Sequence, residues 1–183
     1  MGALKKRFPP PGEILSLYAT IVFLIYGWAS LTFTWKIPSW LYYLSLADIT
    51  AILSYALVSS FLESTILLSL FLLLAVLLPS SFFVNKFIVR GSIVVYIVTF
   101  WMILFNLRTL IRLPSSRDLI LFGVASVLTV SLSILFADRL PSFQKILIAL
   151  GDRLTVFLYL WLPMTALGVL VVLVRMTQAL LGA

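Results

Sequence analysis

The stretch Trp40–Leu62, WLYYLSLADITAILSYALVSSFL, decides the fold. It is apolar for long enough to cross a bilayer: the hydrocarbon core is about 30 Å thick and a helix rises about 1.5 Å per residue, so roughly 20 residues span it. Trp40, Tyr42 and Tyr43 at its start are the amphipathic rings that collect at headgroup level. Asp48 interrupts the apolar run. A carboxylate at the bilayer centre costs about 2.5–3.5 kcal/mol on insertion scales, so it requires a partner, water or a proton. Asp48 is therefore the first candidate functional residue.

The rest of the chain has the same character. Hydrophobic residues make up 63% of the 183 and charged residues 10%, against roughly half and a quarter in soluble domains, and the mean hydropathy is +1.20. Lipid is the solvent for most of this sequence, and its length allows about six crossings, joined by connections too short to fold alone. The net charge of +7 comes from lysines and arginines scattered over short loops. That pattern suits anionic lipid headgroups as counter-charge and argues against a nucleic-acid partner. Without cysteine there is no disulfide, thiolate metal site or thiol nucleophile. Without histidine the usual haem and metal ligand and the commonest general base are missing. No cofactor and no metal site are expected.

Apolar runs and their polar breaks predict an all-α, polytopic membrane protein, a single integral membrane domain over 1–183 with about six transmembrane helices, near 14–35, 40–62, 66–83, 87–107, 119–136 and 154–174. Lys5, Lys6 and Arg7 precede a first apolar run too long for a signal-peptide core, so the first helix reads as retained. Ile37-Pro38-Ser39 predicts a turn, and Glu63-Ser64-Thr65 a tight break between the second and third helices. Phe143, Ile146, Leu147 and Leu150 recur at helical spacing, with Ser142 placed to cap and Gly151 to end a short amphipathic helix, 142–150, lying in the interface. Asp152 then reads as the N-cap of the sixth helix, in which Pro163 frees the carbonyl of Tyr159 and predicts a bend.

Six crossings place both termini on one side. Lys5, Lys6, Arg7, Arg108, Arg112, Arg117 and Arg175 fall there, against Lys36, Lys86, Arg90, Arg139, Lys145 and Arg153 opposite. This slight positive-inside bias puts both termini in the cytoplasm, with a bacterial cytoplasmic membrane as the expected location.

Under that topology Asp48 and Arg90 share one half of the membrane and are expected to meet as an embedded ion pair between the second and fourth helices, with a headgroup or substrate contact, or proton coupling, as the alternatives. Arg139 and Arg153 form a cationic rim above them, and Tyr159 lies beside Pro163; all five are candidate binding residues. Gly123, Ser126 and Ser133 fall on one stripe of the fifth helix, where small side chains let helices approach closely, and with Pro163 they are the candidate structural positions. The motifs HExxH, GxSxG, GxxxxGK[ST] and GxGxxG are absent and the carboxylates are far apart in sequence, so no catalytic residue is named and the chain is not expected to be an enzyme. The expectation is a non-catalytic integral membrane component that scaffolds or anchors a larger assembly. Its expected partners are anionic membrane lipids and, through the fifth helix, another membrane protein. The alternative is a small transporter or lipid-binding permease using the Asp48 and Arg90 region.

Overall fold

The structure is a computed structural model that describes residues 8–79, 83–109, 113 and 115–181. Its elements are all helical: α1 (Pro11–Trp40), α2 (Leu46–Leu77), a 3-10 turn at Val84–Lys86, α3 (Phe87–Thr109), α4 (Ser116–Ala137), α5 (Pro141–Leu154) and α6 (Val156–Leu181). Among the described residues five apolar spans are long enough to cross a membrane, the fifth running from α5 into α6. The all-α, membrane-spanning class expected from the sequence is therefore present.

The predicted second and third helices are one continuous helix, α2, of 32 residues. The segment Glu63-Ser64-Thr65 contains neither Gly nor Pro, and its polar groups are satisfied along the helix itself. Ser59 Oγ donates to Glu63 Oε1 at 3.1 Å, Ser64 Oγ to the Phe61 carbonyl at 3.0 Å, and Ser69 Oγ to the Thr65 carbonyl at 2.8 Å. Polar side chains bonded in this way do not end a helix. At 1.5 Å per residue α2 is about 48 Å long, well beyond the hydrocarbon thickness.

Two other predicted boundaries differ. Pro11 opens α1, where its missing N–H is not needed, and the helix runs on through Pro38 in its last turn, so Ile37-Pro38-Ser39 is helical. In α5, Pro141 takes the first position while the Leu140 carbonyl accepts from the N–H groups of Phe143 and Gln144 at 3.1 and 3.3 Å. Gly151 lies inside α5 and Asp152 follows it in the same helix, so neither plays the predicted capping role, and Thr155 alone separates α5 from α6. Gly151 instead marks a close approach: a Cβ there would lie 3.2 Å from Ile88 Cδ1 and 3.3 Å from Ser16 Cβ.

The chain divides into two units, each with its own core. One comprises the chain as far as Leu17 together with Phe71–Arg153. Its core joins Ile88, Val89 and Ile93 of α3 to Ala137 of α4 and Leu147 of α5. Farther along, α3 and α4 pack through edge-on rings, Trp101 and Phe105 against Phe122 at 5.5 and 5.2 Å between centroids. Trp101 Nε1 also donates to Thr129 Oγ1 at 2.9 Å. Ser126 and Ser133, half-buried, lie on the same stripe of α4 as Thr129, so this small-residue stripe is the one turned toward α3. Gly123 is exposed, and a Cβ there would meet nothing within 4 Å.

The other unit comprises Tyr18–Leu70 with the chain from Leu154 onward. Ala19, Val22 and Tyr26 of α1, Leu57 of α2, and Leu154 and Leu158 form its core. Phe23 meets Phe157 at 4.9 Å and Tyr26 meets Trp161 at 5.2 Å. Thr165 Oγ1 donates to the Trp161 carbonyl at 2.8 Å, which leaves the Tyr26 hydroxyl to donate to Thr165 Oγ1, also at 2.8 Å. This bond ties α1 to α6 two residues beyond Pro163, through which α6 stays helical. Gly168 lets α6 approach α2: a Cβ would stand 3.3 Å from the Ser54 carbonyl oxygen.

Candidate functional site

Asp48 does not sit deep in a span. Because α2 begins at Leu46, six residues later than predicted, Asp48 falls in its first turn. The preceding Ser45 caps it there: the Asp48 N–H donates to Ser45 Oγ at 3.2 Å, and Ser45 Oγ donates to Asp48 Oδ2 at 2.6 Å. A carboxylate near a helix N-terminus is also favoured by the macrodipole. Its ion-pair partner is Arg175 of α6, whose Nη2 reaches Asp48 Oδ1 at 3.1 Å and the Ala47 carbonyl at 3.0 Å. The predicted pairing of Asp48 with Arg90 is thus replaced by two separate pairs, one in each unit. The Asp48–Arg175 side chains are 43% and 38% exposed, so solvent screens the pair and it contributes little to stability.

Arg90 belongs to a polar node at one end of the first unit. Its Nη2 donates to Asp138 Oδ2 at 2.8 Å, and Lys86 Nζ reaches Asp138 Oδ1 at 2.6 Å. Arg90 lies in the first turn of α3 and Asp138 caps the end of α4, so each charge alone would face the unfavourable pole of its own helix. Pairing them removes both conflicts. The ammonium of Lys86, followed by the Arg90 guanidinium, holds the Asp138 carboxyl below the usual carboxylate range against the opposing effect of burial.

Three further bonds close the node. The Ile88 N–H, exposed by the start of α3, donates to the Glu13 carboxylate of α1. Ser16 Oγ donates to Asp152 Oδ1 of α5 at 2.6 Å. Gln144 Nε2 donates to the Ala137 carbonyl at 2.8 Å, satisfying an acceptor at the end of α4. The start of α1, the start of α3, the end of α4 and α5 therefore meet at one level. Inside this packing Ser92 is fully buried and its Oγ has no hydrogen-bond partner among the described residues.

The remaining sequence candidates are dispersed. Arg139 and Arg153 are exposed and make no ion pair among the described residues, and Tyr159 is 83% exposed. In the arginine series, Arg108 Nη2 bonds Asp118 Oδ1 at 2.9 Å, while Asp118 completes a capping box with Ser115 at the start of α4. Arg117 is exposed; Lys5, Lys6, Arg7 and Arg112 lie outside the described residues. Residues missed by sequence reasoning are Asp138, Glu13, Ser16 and the close-approach glycines 151 and 168. Ser45-x-x-Asp48 and Ser115-x-x-Asp118 carry a readable capping signal, whereas the partners of Asp138 are 48 and 52 residues away in sequence.

Five of the six acidic side chains thus have a side-chain partner that fixes a helix end, a helix pair or a helical turn; the sixth, Glu13, meets the Ile88 N–H while its Oε2 is buried with no hydrogen-bond partner among the described residues. No group of three or more metal-ligating side chains forms among the described residues. Beside Arg175, Ala47, Thr50, Leu170, Val174 and Gln178 line a groove of about 330 Å³ that is chiefly apolar. Comparisons with family models, with curated proteins and with solved structures gave no match, so the functional reading rests on the chain's own residues.

Proposed function

We propose that this chain is a non-catalytic integral membrane component that holds a larger assembly in the bilayer. The observation carrying this reading is the engagement of five of the six carboxylates in side-chain bonds that fix the fold. Acid–base or ion-coupled chemistry draws on an ionisable group presented to a ligand in a pocket with other polar groups, and Asp48 does not line the groove beside Arg175. Helix α4 supports an assembly role from the other direction: it is apolar and long enough to span, and Ala137 at its end is its one buried residue. The face of α4 turned away from α3, with Gly123 on it, is available to lipid and to a neighbouring membrane protein.

Five crossings carry the termini to opposite faces of the membrane. The N-terminal face then takes Lys5, Lys6, Arg7, Lys86, Arg90, Arg139, Lys145 and Arg153, leaving Lys36, Arg108, Arg112, Arg117 and Arg175 on the other. This is a stronger asymmetry than six crossings give, and by the positive-inside rule it supports a cytoplasmic N-terminus and an external C-terminus.

Crosslinking in intact native membranes, followed by mass determination, tests the assembly role. The chain should be recovered in a complex heavier than itself. Gly123→Leu, which meets nothing within 4 Å in the chain, should weaken that complex while leaving the melting temperature of the isolated protein unchanged. Recovery as a lone chain, crosslinked or not, would sink the reading.

A further inference from the structure

We propose that α5 is a docking surface for anionic phospholipid, lying along the membrane–water boundary on the N-terminal side. Among the described cations some are held by carboxylates, and those that are not comprise Lys36 and Arg117, which stand apart on α1 and α4, and one cluster. Lys86 and Arg90 are held by Asp138, Arg108 by Asp118 and Arg175 by Asp48. Arg139, Lys145 and Arg153 are exposed and pair with no carboxylate among the described residues, and all three lie on α5 or just before it.

The apolar residues of α5 divide in the same way. Leu147 is buried in the core of the first unit, whereas Phe143, Ile146 and Leu150 remain 39%, 62% and 39% exposed. Ile146 and Arg153 are seven residues apart, about two helical turns, so a cation borders the exposed apolar stripe. That juxtaposition sets positive charge at phosphate level beside side chains that enter the acyl region.

The depth of α5 follows from its contacts. It is held by Asp152 to Ser16, near the start of the α1 span, and Gly151 packs on Ile88 in the first turn of α3, so it lies where two spans begin. The acids near it do not cancel the surplus charge: Asp138 carries both Lys86 and Arg90, Asp152, which accepts from Ser16, is the one carboxylate on α5, and Glu13 of α1 meets the Ile88 N–H, leaving two carboxylates against three cations.

The full chain in phosphatidylcholine nanodiscs containing a minor fraction of phosphatidylglycerol provides the test, read as lipid retained on gentle release and mass spectrometry. Wild type should enrich phosphatidylglycerol, and enrichment should collapse as salt shortens the screening length. R139Q/K145Q/R153Q should lose about fivefold in preference per cation removed with an unchanged melting temperature in pure phosphatidylcholine. K36Q/R117Q, which removes exposed unpaired cations of α1 and α4, should leave it intact. Because the chain has no cysteine, a spin label at Ile146→Cys reports depth and should respond to oxygen in lipid more than to an aqueous relaxer. Unchanged enrichment in the triple variant, equal loss in K36Q/R117Q, or a label as water-accessible as one in a polar loop would each overturn the proposal. If the triple variant does not fold, the salt titration and the label depth decide it in the wild-type background.

Discussion

Removing the Asp138 carboxylate should destabilise the protein mainly through Arg90. The Arg90 side chain is 9% exposed, Asp138 29% and Lys86 36%. Breaking a fully buried pair from one side costs about 3–5 kcal/mol because a charge is left uncompensated. Partial exposure of Asp138 reduces that to about 2–3 kcal/mol for the Arg90 arm, and the exposed Lys86 arm adds about 0–1 kcal/mol. Asp138→Ala is therefore expected to cost about 3 kcal/mol. Arg90→Met should cost less, since Asp138 keeps Lys86 and a cation is removed from the positive pole of α3. Equilibrium unfolding in mixed micelles of the single and double variants measures both arms. The coupling of Asp138 to Arg90 should reach about 2 kcal/mol and exceed its coupling to Lys86→Gln. Equal couplings, or an Arg90 coupling indistinguishable from zero, would refute the argument that burial sets the strength of this node.

The same carboxylate sets an acid limit. Its folded pKa lies below its unfolded value, so its contribution is present above about pH 4 and disappears as pH falls through the folded pKa; wild-type melting temperature should drop in that window and Asp138→Asn should flatten the drop. Ser92→Ala removes a buried hydroxyl without a partner and should raise stability by about 1 kcal/mol, seen as a higher unfolding midpoint. Gly168→Leu forces side-chain atoms against the Ser54 backbone and should cost about 1–3 kcal/mol, whereas Gly123→Leu should leave the unfolding of the isolated chain unchanged or slightly stabilised through helix propensity; both are read in the same micelle assay.

What the sequence alone determined is the solvent of this chain and its all-helical class. Long apolar runs have no way to satisfy their backbone in lipid except as helices, so the all-α membrane class follows from composition. The capping signal at Ser115-x-x-Asp118 is local and equally legible in the chain. Helical periodicity places Ser126 and Ser133 on one face of α4, while Gly123 of the same predicted stripe is exposed. Tertiary structure decided what depends on contacts far apart in sequence. That Glu63-Ser64-Thr65 does not end a helix was not legible either, although the bonds there are local, three and four residues along the same helix. The choice of partner for Asp48 and Arg90 turned on distances that no spacing rule contains: Arg175 lies 127 residues from Asp48, and Asp138 lies 48 from Arg90. An ionised side chain in a lipid-facing protein takes the opposite charge that folding brings within about 3 Å, and only the assembled helices determine which charge that is.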